Sequence, residues 1–313
     1  MRRLHVITEG AILLAIFLVL MLFTNYAPII GSLLHFVLPL PFLLFAIRHK
    51  VTDGLLLFFA GCILSLLFGS ITNILLVLIF GLSGLIMGIS YKRNQPIGAL
   101  IVGSLTYTIS LLLAYIGTIV FLKIDLIKDT VSILEQSMLQ SKSILTKFNS
   151  SEELTKQYKQ LEQGIELIPT ISPTIFVATA ISFAVLTHVI SMPILRRLRI
   201  KVQALTPFRE WKLPLSIVWY YLIVSILLIF NPDKDSFYFM AIINLYIILQ
   251  IIILIQGYSF VFYYCYIKGL SKSIPVIIVI VSLLLPLLLY IIRILGIIDI
   301  SFPLRSKISK GKM

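Results

Sequence analysis

The sequence has 313 residues, 59% hydrophobic and only 12% charged, with a mean hydropathy of +1.05. A soluble globular chain carries about 45 to 50% apolar and about 25% charged residues, so these values exclude a water-soluble fold and point to an all-α polytopic membrane protein. The net charge of +13 falls in short clusters between apolar runs, which is the pattern of membrane topology signals and argues against a nucleic-acid partner.

A hydrocarbon core of about 30 Å needs about 20 apolar helical residues. In chain order the segments that qualify are residues 7–25, 29–47, 51–68, 71–90, 97–122, 171–194, 213–231, 237–266 and 274–298, so eight or nine transmembrane helices are expected. The opening MRRLHVITEG resembles a signal-peptide start, but no A-x-A cleavage site follows and the apolar run continues, so it reads as a retained first helix. The first spans form two tight pairs, because Thr24-Asn25-Tyr26-Ala27-Pro28 and Gly69-Ser70-Ile71-Thr72-Asn73 are short, turn-prone and uncharged.

Basic residues set the orientation. With the N-terminus in the cytoplasm, fourteen Lys and Arg fall on the inner side: Arg2, Arg3, Arg48, Lys50, Lys92, Arg93, Arg196, Arg197, Arg199, Lys201, Arg209, Lys212, Lys268 and Lys272. The short outer turns hold Lys234 alone, and this asymmetry predicts a multi-pass cell-membrane protein with a cytoplasmic N-terminus. The tail dissents. Nine spans would place Arg305, Lys307, Lys310 and Lys312 outside, so either the tail is an exception or one of the last three runs does not cross. The final run, with Pro286, Arg293 and Asp299, is the weakest span.

The one long hydrophilic segment, residues 123–170, falls outside and carries six lysines against seven acids. Ile127, Val131, Leu134 and Met138 recur at helical steps, and Ser150 with Glu153 forms a capping box for a second helix, so a helical hairpin is expected there. The chain therefore divides into a six-helix bundle over residues 1–197 and a part over 198–313 that opens with a basic loop and adds two or three spans.

Motifs for ATP hydrolysis, zinc proteolysis, nucleophilic hydrolysis and dinucleotide binding are absent, and no enzymatic activity or cofactor is expected. Cys62 and Cys265 lie in apolar runs, and His5, His35, His49 and His188 are scattered, so no metal site is indicated. For His188 a satisfied hydrogen bond inside the membrane is the simpler reading. Polar residues within apolar spans mark candidate sites. Asn25, Tyr26, Asn73, Tyr115 and Thr179 all fall toward the outer side, which allows one outward-facing pocket for a small solute; glue between helices is the plainer role for each.

Small residues mark close helix approach. Ala11 and Ala15 form such a pair on the first span, and Gly81, Gly84 and Gly88 form a strip on the fourth. The run from Arg196 to Lys212 interleaves Arg196, Arg197 and Arg199 with Leu198, Ile200 and Trp211, which suits an inner-surface element that meets anionic lipid or a partner.

Glu9-Gly10-Ala11 with Ala15, the charge-free outer turns, and the inner Arg48-His49-Lys50 and Lys92-Arg93 turns together resemble the substrate-binding S component of energy-coupling-factor vitamin transporters. That resemblance implies an S-component arrangement of the first six helices, with Ala11 and Ala15 against a membrane coupling subunit that works with an ATPase. The 48-residue insertion and the extra spans depart from it. Through the N-terminal half and Gly296-Ile-Ile-Asp299 followed by Arg305, the whole chain is similar to the YybS family of Gram-positive membrane proteins. This second resemblance implies a regulatory or structural role beside a membrane-bound cyclic-dinucleotide phosphodiesterase. Two functions are thus expected to compete: a solute-binding transport subunit, and a membrane partner with no solute.

Overall fold

The computed structural model describes residues 2–27, 31, 33–67, 71–145, 152–200, 202–203, 205–230, 232–302 and 304–310. Among these there is no strand, and the chain separates into two compact units, residues 1–205 and 206–313. Among the described residues five helices are long and apolar enough to cross a membrane, and four more are apolar but shorter.

The first unit contains α1 (Arg2–Tyr26), α2 (Pro39–Arg48), α3 (Val51–Leu67) and α4, which runs from Ile71–Leu76 through a π-helical turn, Val77–Gly81, into Leu82–Lys92. It continues with α5 (Pro96–Gly117, ending in the π turn Thr118–Leu122), α6 (Leu126–Leu145), α7 (Glu152–Glu166) and α8 (Ile168–Arg197). The second predicted span, 29–47, is interrupted ahead of α2. Two prolines, Pro39 and Pro41, lack the N–H groups a helix interior needs, and residues 35–38 form turns before them. Helix α2 is the centre of the unit, buried along most of its length, and α1, α3 and α4 pack on it while α5 joins α4 to α8.

Apolar side chains gain nothing from leaving lipid for one another, so packing detail decides which helices meet. The glycine strip of α4 does this. A Cβ on Gly84 would collide with the Pro39 carbonyl and one on Gly88 with the Leu43 carbonyl, so only glycine lets α4 lie against the backbone of α2. Phe80 of α4 meets Phe183 of α8 at 5.6 Å between centroids, and Phe183 meets Tyr107 of α5 at 5.7 Å, filling the space among these helices with rings. Polar ties accompany the rings. The Tyr91 hydroxyl lies 2.7 Å from His188 Nδ1 and the Tyr107 hydroxyl 2.9 Å from Thr187 Oγ1, so His188 sits in a satisfied interhelical hydrogen bond.

The expected helical hairpin is present as α6 and α7. Its capping box at Ser150 lies outside the described residues. Asp125 caps α6 by accepting from the Lys128 N–H at 3.3 Å, and the Tyr115 hydroxyl of α5 donates to the same carboxylate at 2.9 Å. Partial desolvation works against the charged form of Asp125, but the hydrogen bonds from Lys128 and Tyr115 outweigh it and hold the carboxyl below its usual range.

The second unit opens with a 3₁₀ turn, Phe208–Glu210, followed by α9 (Ser216–Ile229), α10 (Phe237–Ile267), α11 (Ser273–Leu284), α12 (Pro286–Ser301) and α13 (Leu304–Lys310). Ser236 caps α10 by accepting from the Phe239 N–H at 3.1 Å. Tyr221 of α9 stacks on Tyr246 of α10 at 5.5 Å. At the other end of α10, Gly269 takes a left-handed φ of +70° and turns the chain into α11.

The last predicted span, 274–298, is not one helix. Leu285 is extended (φ −116°, ψ 100°) ahead of Pro286, and the run breaks into α11 and α12. Helix α11 starts beside the C-terminal end of α10, and its Ser282 reaches the Tyr258 hydroxyl at 2.8 Å. Helix α12 then crosses α10 where a Cβ on Gly257 would strike the Ile292 carbonyl and one on Gly296 the Ile253 carbonyl. Beyond α12, the Tyr263 hydroxyl donates to the Arg305 carbonyl at 3.0 Å. The pair thus enters and leaves at the same end of α10, as a re-entrant hairpin. This resolves the basic tail: Arg305 lies at the end of α10 that carries Lys268, beside the loop of Arg209.

Candidate functional site

Helix α1 presents two faces. Leu14, Phe17 and Met21 are buried against its neighbours, with Gly10 facing Phe45 and Leu57. Ala11 and Ala15 lie on the opposite, exposed face with Ile12, Ile16 and Val19. The small side chains leave a shallow strip between ridges of isoleucine, the relief that allows a second helix to approach closely.

One end of the first unit is gathered by charge. Arg48 Nη1 donates to Glu9 Oε1, His49 Nε2 lies 2.8 Å from Glu9 Oε2, and Lys92 Nζ donates to the His49 carbonyl. The start of α1 and the ends of α2 and α4 therefore meet at one level. The sequence showed these residues as span ends. That a glutamate on the first helix ties two of them together was not visible, because the partners lie 39 and 40 residues apart.

Of the predicted ligand-binding residues, the structure joins Asn25 and Asn73, whose side chains share a hydrogen bond of 2.8 Å from Asn25 Nδ2 to Asn73 Oδ1. Asn73 is 2% exposed and Tyr26 is 81% exposed. Tyr115 is engaged with Asp125 and meets the Phe176 ring at 5.4 Å, and Thr179 is half-buried on α8. Arg196, Arg197 and Arg199 are exposed at the end of α8, where positive charge complements the carbonyl end of the helix dipole. Arg199 takes a left-handed φ of +55° and closes that end, with its N–H on the Arg196 carbonyl at 3.1 Å.

The densest polar site lies in the second unit. Asp299, whose side chain is 0% exposed, accepts from Arg305 Nε at 2.9 Å and Nη2 at 2.6 Å; the Arg305 side chain is 14% exposed. Arg305 also donates to the Arg209 carbonyl at 2.7 Å and to Ser259 Oγ at 3.2 Å. Gln256 Nε2 donates to Asp299 Oδ2, and its Oε1 accepts from the Leu213 N–H at 3.1 Å. Ser259 donates to the Phe208 and Trp211 carbonyls. A carboxylate taken out of water is tolerated only when its charge and lone pairs are met, and here they are. The sequence signals were Asp299 at the end of an apolar run and Arg305 six residues on. By contrast Arg293, half-buried on α12, has an Nε buried without a hydrogen-bond partner and lies 5.0 Å from the Tyr290 ring centroid. Among the described residues no group of three His, Cys, Asp or Glu side chains is placed to hold a metal ion.

Comparison with known proteins bears on both units. Residues 15–300 match the family described as "Predicted membrane protein (DUF2232)". The chain is 32% identical over 308 residues to the Bacillus subtilis (strain 168) protein described as "Uncharacterized protein YybS", a match covering 98% of this chain and 100% of that relative. No solved structure matches. A family match that runs from α1 to α12, with a full-length relative at this identity, means that the chain belongs to the DUF2232 family of predicted membrane proteins.

Proposed function

We propose that the protein is a non-enzymatic membrane subunit that acts by binding a second membrane protein through the outward face of α1. The observation that carries this reading is the exposure of Ala11 and Ala15 between Ile12, Ile16 and Val19, on a helix whose opposite face is already packed. The use is the one an S component makes of its Ala-xxx-Ala pair toward a coupling subunit and its ATPase; a membrane-bound phosphodiesterase is the other partner the family resemblance suggests. The charge asymmetry of the sequence supports a cytoplasmic N-terminus, with Arg48, Lys92 and their neighbours on the inner side.

A small solute is the second reading. It is favoured by the Asn25–Asn73 pair, two amides joined at the end of the first unit opposite Glu9. Each amide spends part of its hydrogen-bonding capacity on the other, which lowers what remains for a solute.

The test is recovery of partners by mild-detergent purification of wild type and Ala15→Leu. The added isobutyl group fills the strip without touching the packed face, so the variant should insert and fold while losing its partner. Unchanged partner recovery returns the pair to contact with lipid.

A further inference from the structure

We infer that a groove at the basic end of the second unit holds the headgroup of an anionic phospholipid. The groove has a volume of about 220 Å³ and opens beside the last turns of α10. Phe208, Phe262 and Pro275 form its apolar walls, while Arg209 and Lys272 stand among its lining residues with Tyr266. The Arg209 guanidinium lies 3.8 Å from the Tyr266 ring centroid, which fixes its position across the groove. One acidic neighbour is present: Glu210 Oε1 is 3.7 Å from Arg209 Nε, and both side chains are partly solvated, so the carboxylate screens the cation only weakly.

Depth selects a lipid. Helix α10 has 31 residues and at about 1.5 Å per residue is longer than a hydrocarbon core of about 30 Å, so its last turns reach the headgroup layer. Tyr263, Tyr264 and Tyr266 followed by Lys268 have the composition of that layer, where aromatic rings and basic side chains collect. A groove there, apolar on its walls and positive at Arg209 and Lys272, matches an amphiphile with acyl chains and a phosphate diester. Arginine offers paired N–H donors to such a phosphate and lysine a point charge. The cations of this groove are separate from the Arg305–Asp299 pair. Arg209 contributes its carbonyl to Arg305 and its side chain to the groove, so changing the side chain leaves that acceptor in place.

The experiment uses the full chain in phosphatidylcholine vesicles doped with a phosphatidylglycerol carrying a photoreactive group near the top of one acyl chain. Cross-linked peptides are mapped by mass spectrometry. Labelling should concentrate on residues 262–275 and fall about fivefold for each cation removed in Arg209→Gln and Lys272→Gln. Arg209→Lys should keep most of it. A phosphatidylcholine probe with the same photoreactive group should label the segment several times less. Equal labelling by the two probes, or unchanged labelling in the double Gln variant, overturns the proposal. Loss of label on adding inorganic phosphate at constant ionic strength assigns the groove to a soluble phosphate and overturns the lipid. Variants are compared only where their thermal stability equals that of wild type, and Arg209→Lys supplies the comparison if Arg209→Gln does not fold.

Discussion

Arg305 grips the carboxylate of Asp299 from six residues away, with Nη2 2.6 Å from Oδ2, and the same guanidinium reaches the Arg209 carbonyl 96 residues earlier. One side chain thus closes the end of the re-entrant hairpin onto the loop that begins the second unit. Because Asp299 is fully buried, the consequences of breaking the pair depend on which partner is removed.

Arg305→Ala leaves the carboxylate buried without its cation and should destabilise the protein by about 3 to 5 kcal/mol. Asp299→Leu with Arg305→Leu removes both charges and should cost much less, since replacing a buried pair by apolar groups is often neutral. Thermal unfolding in one detergent compares them. Equal losses in the single and double variants would falsify the view that the pair is held by mutual compensation.

The re-entrant hairpin predicts the side of the tail. In a background with Cys62 and Cys265 replaced by alanine, cysteines at Ser271 and Ser306 should react with a membrane-impermeant thiol reagent from the same face, and one at Asp235 from the other. Opposite labelling of 271 and 306 would mean that residues 273–301 cross the bilayer as a whole.

The close approaches of α4 to α2 and of α12 to α10 should be intolerant of a single methyl group. Gly84→Ala and Gly257→Ala each place a Cβ against a carbonyl, of Pro39 and Ile292 respectively, and should cost about 1 to 3 kcal/mol. Gly164→Ala, on exposed α7 with open space at its Cβ, is the control and should stabilise slightly. A thermal-shift series reads all three, and a harmless Gly84→Ala would show that α4 can withdraw from α2.

Arg293 should be a cost to the fold. Its buried Nε has no hydrogen-bond partner, so Arg293→Leu should raise stability by about 1 to 3 kcal/mol. A fall in stability on this change would mean that the stacking on Tyr290 outweighs the desolvation of the cation.

What the sequence disclosed follows from which signals are local. Apolar run length and the placement of lysine and arginine mark the helices, and the spacing of Gly81, Gly84 and Gly88 marks the face of α4 that meets α2. His188 reads as a satisfied polar group, and its partner is Tyr91. Relations that join distant positions were hidden. Asn25 and Asn73 read as members of one outer polar set, but that they bond directly to each other appears only in the fold, and Glu9 looks like a span end until α2 brings Arg48 and His49 to it. Pro286 in an apolar run reads the same whether the helix bends or the chain turns back. Asp299 and Arg305 stand out in the sequence, but only their contacts with Gln256, Ser259 and the Phe208–Trp211 loop distinguish the two, and those distant partners have no sequence signature.

The half-length α11 also constrains how the protein enters the membrane. Twelve residues extend about 18 Å, too short to span, and the break at Leu285 leaves backbone groups at a depth where water cannot solvate them. Alone, this pair is a poor substrate for insertion. It becomes favourable once α10 offers Gly257 as a landing place and the Phe208–Trp211 loop offers carbonyls to Ser259 and Arg305. The surface on which α12 packs is supplied by α10 and by this loop, so α11 and α12 are expected to enter after the hairpin of α9 and α10.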